Sequence, residues 1–262
     1  MIRLQFDCVT KSFPPARRGG EGVTAIADVD VRVTEGEVVA LIGPSGCGKS
    51  TLLNLASGLD RPSRGRVFVD GSEVTGPNSH VAFMLQRDLL LPWRSIIDNV
   101  TFGQEIQRVE KVHRREIARK LLDKYKLGEF VDHYPHQLSG GMRQRAALAR
   151  TMAMNPAVLL LDEPFSALDA QTKMVLQQDL ARTLWDEKKT AFLITHDLVE
   201  AIALADRVLV MSRRPGRIVR EIKITLPGRN DPMVRRQHPD TGRLMAELMA
   251  LLDIGHTDKL DG

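Results

Sequence analysis

The chain has 262 residues, 43% of them hydrophobic, which fits one large or two small globular domains and excludes a disordered or fibrous polymer. Its 37 basic and 33 acidic residues leave a net charge of +4, too mild a surplus to argue for nucleic acid as a partner. No apolar run reaches the roughly 18 residues that span a bilayer, and two cysteines, Cys8 and Cys47, make no disulfide framework.

Residues 1–7 carry no apolar signal segment, which predicts a cytosolic protein. Val9, Val29, Val31 and Val33, with a turn at Asp70 and Gly71, predict antiparallel β structure in the N-terminal part. The stretch 14–22, Pro-Pro-Ala-Arg-Arg-Gly-Gly-Glu-Gly, reads as a flexible hairpin loop. Residues 38–42 are an unbroken apolar run of strand length. Leu52, Leu53 and Leu55 then predict a helix stopped by Gly58 as C-cap. Further buried strands are predicted at 157–161, 191–194 and 207–211. Strands alternating with helices predict an α/β fold with a mostly parallel core sheet.

Between Gln86 and Asn155 strand runs vanish and charged helical patterns such as 116–124 take over. This predicts a helical subdomain inserted at about 87–155. Arginines cluster at 143–150 and 213–220. A solvated face is the first reading of both runs, and a face near anionic lipid headgroups the second. Past Pro227, Leu244, Leu248, Leu251 and Leu252 recur at helical spacing. One amphipathic helix is predicted there, capped by Thr241, stopped at Gly255 and followed by a frayed tail.

Two segments carry the chemistry. Residues 43–51 read Gly-Pro-Ser-Gly-Cys-Gly-Lys-Ser-Thr and fit the phosphate-loop pattern G-x-x-x-x-G-K-[ST]. Gly43, Gly46 and Gly48 let the chain curl and aim successive N–H groups at phosphate oxygens. Lys49 adds a mobile charge, Ser50 a hydroxyl for Mg²⁺, and the following helix its positive dipole end. Pro44, Ser45, Cys47 and Thr51 complete the loop, Cys47 through its backbone. A thiol beside a bound anion predicts alkylation of Cys47 that depends on ATP. The second segment, 138–145, reads Leu-Ser-Gly-Gly-Met-Arg-Gln-Arg. Ser139, Gly140 and Gly141 open a helix with free N–H groups, and both a helix cap and an anion site fit. Asp162 ends an apolar strand and Glu163 follows. Carboxylates at the carboxyl end of a parallel strand reach the crevice where ligands sit. Asp162 is expected to hold Mg²⁺ and Glu163 to orient or deprotonate an attacking water.

Together the phosphate loop and Leu-Ser-Gly-Gly-Met resemble the ATP-binding-cassette (ABC) ATPases, over about residues 6–217. The resemblance implies a phosphate-loop nucleotide-binding domain over 1–228, with 229–262 as a C-terminal helical extension. It implies that Asp162-Glu163-Pro164 and Ser166-Ala167-Leu168-Asp169 are the Walker B and D-loop segments. It makes Gln86 the Q-loop contact to Mg²⁺ and water, and His196 the H-loop contact to the γ-phosphate. Asp197 with Glu200 fits a capping box after that histidine. Phe13 matches the aromatic that stacks on adenine, and ordinary core packing is its other reading. Ser139, Gly140, Gly141, Met142 and Gln144 match the signature that binds ATP held by a second subunit, implying a head-to-tail dimer of identical chains.

Leu91, Pro92 and Trp93 lie where ABC importers accept a permease helix; a Trp93 buried in the helical subdomain fits equally. This stretch and 211–218 look like the nitrate/sulfonate/taurine importer group. That likeness implies a peripheral protein on the cytoplasmic face of the membrane. A periplasmic or extracellular solute-binding protein would act on it indirectly. A soluble ABC ATPase with a non-transport partner is the alternative, although two cassettes or a long coiled-coil insertion are missing. A kinase or GTPase would need no Leu-Ser-Gly-Gly, and no Asn-Lys-x-Asp guanine reader is present.

Overall fold

In the computed structural model, residues 1–15, 22–166 and 168–253 are described. The predicted hairpin loop therefore falls largely on residues outside them, as does Gly255. The valine-rich N-terminal part forms β1 (Ile2–Phe13) and β2 (Val23–Thr34), paired antiparallel. β3 (Val38–Ile42) leads into α1 (Lys49–Ser57), which ends at Gly58 in the left-handed region with φ 76°. β4 (Arg64–Val69) and β5 (Ser72–Glu73) join the first two strands in a four-stranded antiparallel sheet ordered β2-β1-β4-β5.

The second sheet is built around β3. Its other members are β6 (Val81–Met84), β7 (Val158–Asp162), β8 (Thr190–Ile194), β9 (Arg207–Met211) and β10 (Ile218–Lys223). Their order is β10-β9-β3-β8-β7-β6; every pairing is parallel except the antiparallel edge pair β9–β10. Both faces are covered, which is why these strands read as unbroken apolar runs. Val38, Ala40 and Ile42 point into a core shared with the helices. Val39 and Leu41 point into a core shared with α1 and the antiparallel sheet. Phe6 and Phe192 join the two sheets, their ring centroids 5.8 Å apart.

Between β6 and β7 the chain is helical: α2 (Ile96–Val100), α3 (Phe102–Ile106), α4 (Lys111–Lys124) and α5 (Gly140–Ala153). α6 (Ala170–Asp186) and α7 (Leu198–Leu204) connect the later strands. The end of the chain differs from the single helix expected. Two helices form, α8 (Pro232–Gln237) and α9 (Asp240–Leu251), because Pro239 lacks an N–H and restarts the chain. Thr241 is no cap: it lies inside α9, buried, its hydroxyl donating to the Arg235 carbonyl. The capping box at α7 is half made. Asp197 accepts from Glu200 N at 3.1 Å, but the Glu200 carboxylate turns instead to Lys173 and Gln177.

Candidate functional site

The site gathers at the carboxyl ends of the parallel strands, where open α/β sheets bind ligands. β3 ends at Ile42, and the loop that follows turns into α1 at Gly48. Gly46 and Gly48 have φ of +73° and +108°. A Cβ on Gly48 would collide with Ile26 Cγ2 and sit 3.0 Å from the Ala25 carbonyl oxygen, so only glycine fits. Lys49 Nζ folds back over the loop, donating to Gly43 O at 2.7 Å and Pro44 O at 3.0 Å. Ser45, Gly46, Gly48, Lys49, Ser50 and Thr51 line a cavity of about 470 Å³ together with Phe13, Val23, Ala25, Glu163 and Arg214. Phe13, at the end of β1, is exposed, with Lys11 Nζ 5.0 Å from its ring centroid. Core packing does not describe it.

Cys47 departs from the accessible thiol expected. It is 1% exposed, its side chain turned into the core of Val39, Leu41 and Met211 beneath the loop. Alkylation that depends on ATP therefore has no open thiol to report from.

Asp162 is the last residue of β7. Burial raises its carboxyl above the ordinary 3.8 and Glu163 adds to this, while a Ser50 hydrogen bond and the Lys49 charge oppose it. At Glu163 the chain leaves the strand with φ 46°, its N–H donating to Ile194 O at 2.9 Å. There its carboxylate meets two other candidate site residues. Gln86 Nε2 donates to Oε2 at 3.1 Å, and His196 Nδ1 lies 3.2 Å from the same oxygen.

The second motif, 138–145, lies apart from the residues that line this cavity. Ser139 caps α5, its Oγ accepting from Met142 N at 3.3 Å, and Ser139 and Gly140 are exposed. Gly141 faces α6, where a Cβ would come 2.6 Å from Thr172 Cγ2. Met142 packs partly against the core. Gln144 overturns its expected role. It is 3% exposed and donates to Gln86 O at 3.1 Å, on the same inward face of α5 as Ala147 and Leu148. It serves its own chain and is not presented to a second one.

Three residues escaped the sequence reading. Arg143 and Arg150, expected on a solvated face, hold the segment after Gln86. Arg143 Nε donates to Asp88 Oδ2 at 3.1 Å, and Arg150 donates to Leu89 O at 2.8 Å and Asp88 O at 2.6 Å. Asn99 shapes the loop of Leu91, Pro92 and Trp93. Fully buried, it accepts from Leu91 N at 2.7 Å and donates to the carbonyls of Leu91 and Arg94 at 3.1 Å and Ser95 at 3.0 Å. Trp93 stands on this loop 72% exposed, which excludes the reading that buries it in the helical subdomain. The sequence offered one signal, an asparagine just inside a helix next to a Pro-Trp loop.

The ABC transporter family model matches residues 26–166. The chain is 46% identical over 225 residues to the uncharacterised ABC transporter ATP-binding protein MJ0412 of Methanocaldococcus jannaschii, covering 86% of this chain and 83% of that one. It is 44% identical over 205 residues to the taurine import ATP-binding protein TauB of Yersinia pestis, covering 78% of this chain and 80% of that one. Its fold matches the ATP-binding cassette MJ0796, solved as a dimer in a post-hydrolysis state bound to ADP and Pi. The TM-score is 0.74 at 32% identity, over 84% of this chain and 98% of that one. The family match contains the glycine loop and the strand-end carboxylates, and the chain belongs to the ABC transporter family as an ATP-binding, ATP-hydrolysing cassette.

Proposed function

We propose that this cassette is the energy-coupling subunit of an importer for a small anion such as nitrate, a sulfonate or taurine. It would sit peripherally on the cytoplasmic face of a membrane. One observation carries the nucleotide site: Phe13, the glycine loop and Glu163 converge on one cavity from three separate elements. The likeness to a taurine import protein supports import. The exposed Trp93 supports a membrane partner, since an aromatic anchor of this kind suits a groove for a partner helix. Among the described residues no helix is long and apolar enough to cross a membrane. In this reading the solute path belongs to a permease, with a periplasmic or extracellular solute-binding protein acting through it.

ATP lies with its base on Phe13 and its phosphates on the N–H groups of the loop, neutralised by Lys49. Ser50, Asp162 and Gln86 offer hydroxyl, carboxylate and amide oxygen, the hard donor set that Mg²⁺ takes. The half-buried Asp162 carboxylate, which Lys49 only partly offsets, suits a divalent cation. When bound, that ion offsets charge on the phosphate oxygens. Glu163 orients the attacking water and accepts its proton. Gln86 and His196 hold the carboxylate that does so, and His196 also reaches the γ-phosphate. Two copies close head to tail, Ser139, Gly140 and Gly141 of one facing the nucleotide of the other. The dimeric MJ0796 cassette supports a pairing of two copies. Met142 and Gln144 brace that helix from within. Residues 1–228 work as the ATPase domain, the helical part at about 87–155 carrying the motion to the permease, and 229–262 extend beyond it.

Tagged protein captured from detergent-solubilised native membranes tests this reading, with Trp93→Ala as comparison. Co-elution of a multi-span permease that the variant loses is the expected result. Soluble partners alone, from well-extracted membranes, would move the assignment to a soluble ABC ATPase.

A further inference from the structure

Residues 212–217 leave β9 and pack against the phosphate loop, with Arg214 at the edge of the cavity that the loop lines. Gly216 N donates to Ala25 O at 2.9 Å, and Ala27 N donates to Gly216 O at 3.0 Å, so the segment is stitched to β2. Ser212 closes it: its N–H donates to Arg217 O at 2.9 Å, and its Oγ accepts from Arg217 N at 3.0 Å. A Cβ on Gly216 would collide with the Cys47 carbonyl oxygen, which places that carbonyl on this side of the loop. The preceding carbonyl, Gly46 O, accepts from both Nε and Nη2 of Arg214, at 3.1 and 2.9 Å.

A trans peptide sets its C=O and the next N–H on opposite sides. Holding Gly46 O toward Arg214 turns the Cys47 N–H the other way, toward Pro44 O across the loop. That N–H makes only a long contact, 3.4 Å to Pro44 O, so it is ready for a stronger acceptor. Gly46 has no Cβ to restrict this peptide, and its φ of +73° lies where glycine moves freely. An external hydrogen bond is what limits it.

We propose that Arg214 is a positioning residue of the phosphate loop, holding the Gly46–Cys47 peptide so that the Cys47 N–H meets a phosphate oxygen of the nucleotide. The inference rests on the nucleotide reading of this cavity. Arg214 acts through the loop backbone, so its effect follows the phosphates and leaves the base alone.

The test compares affinities for ADP, a non-hydrolysable ATP analogue and adenosine in the wild type, Arg214→Ala, Arg214→Lys and Lys49→Ala. Removing this paired charge-assisted contact predicts a loss of about tenfold for both phosphorylated ligands in Arg214→Ala. Adenosine affinity and the thermal midpoint of the nucleotide-free protein stay unchanged, and Arg214→Lys recovers part of the loss. An equal loss for adenosine, or a lowered midpoint with unchanged ADP affinity, overturns the proposal. A wild type that binds adenosine as well as ADP, with Lys49→Ala silent, overturns the nucleotide reading itself.

Discussion

Gln86 and Glu163 meet through one hydrogen bond, Nε2 to Oε2 at 3.1 Å, and His196 Nδ1 approaches that same oxygen at 3.2 Å. Each neighbour arrives from a different part of the fold. Gln86 follows β6 and heads the segment that α5 grips through Gln144, Arg143 and Arg150. His196 follows β8 and precedes α7. The carboxylate at the end of β7 is thus held between the segment gripped by the helical part of the chain and the end of the neighbouring strand β8. A shift of either element reaches Glu163 directly, which suits a cassette whose hydrolysis waits on closure.

Glu163→Gln keeps the shape of this junction and removes the charge that accepts a proton. The expected outcome is ATP affinity within about twofold of wild type and hydrolysis lowered by about 10² to 10⁴, the usual contribution of a general base. The variant forms a dimer with ATP that persists on a sizing column. A variant that binds ATP yet stays monomeric, or turns over normally, removes Glu163 from this role.

Asn99→Leu separates the loop from the side chain it carries. The asparagine amide closes the backbone of Leu91, Arg94 and Ser95, and leucine leaves Leu91 N and Arg94 O without the partner it supplied, while Leu91 O keeps Arg94 N and Ser95 O keeps the N–H of residue 99. A cost of about 2–4 kcal/mol is expected in urea unfolding, along with loss of permease capture. Trp93→Ala, at a side chain that is mostly exposed, stays within about 0.5 kcal/mol of wild type while losing the same capture. Equal stability of the two variants would show that the loop holds its shape without Asn99.

The contrast between these residues shows what the amino-acid sequence makes legible. The strands β3, β7 and β8 are apolar at both faces because both are buried, and a run of four or five such residues is read without help. β10 escaped because four of its six residues are exposed, as befits an edge strand. The glycine loop is a local device, so its spacing alone points to phosphate. The meeting of Gln86, Glu163 and His196 is tertiary, and only likeness to a family brought those three together beforehand. Arg143, Arg150 and Arg214 look like solvated charge in the sequence, because their acceptors, the Asp88 carboxylate and the backbone carbonyls of Asp88 and Gly46, lie on distant segments. Gln144 was legible and misjudged: its helical period already placed it on the inner face of α5.

Gly48→Ala tests the close approach beneath the phosphate loop. The added methyl meets Ile26 Cγ2 and the Ala25 carbonyl at a φ of +108°, so either β2 or the start of α1 must move. Strain of about 1–3 kcal/mol is expected, read as a lowered thermal midpoint, together with a loss of ATP binding greater than the stability change explains. Gly71→Ala is the control, since nothing lies within 4 Å of its Cβ position and its φ of +74° carries the backbone cost alone. Similar effects from both variants would mean that backbone strain, not contact with β2, governs the loop.

Lys173 on α6 bridges Asp197 at 2.8 Å and Glu200 at 2.9 Å, tying α6 to the residue that follows His196. Glu200 is 2% exposed, and burial raises its carboxyl above the ordinary 4.5, with Lys173 opposing. Burial also acts upward on Asp197, but the bonds from Lys173 and the Glu200 N–H outweigh it and leave the group below 3.8. The two carboxylates therefore pull stability in opposite directions. Asp197 contributes stability above 3.8, lost as pH falls through its folded value. For Glu200 the unfolded chain ionises first, so stability falls as pH rises from 4.5 toward the folded value. Lys173→Met removes the charge that limits this fall and pushes Glu200 higher still. A loss of about 3 kcal/mol is expected near neutral pH, shrinking toward pH 5 as Glu200 in the variant takes up its proton. Adding Glu200→Gln recovers most of the neutral-pH loss. Urea unfolding at both pH values decides it: a loss independent of pH that the second substitution leaves in place would assign Lys173 to packing, and the ion pair would play no part in setting α7 beside His196.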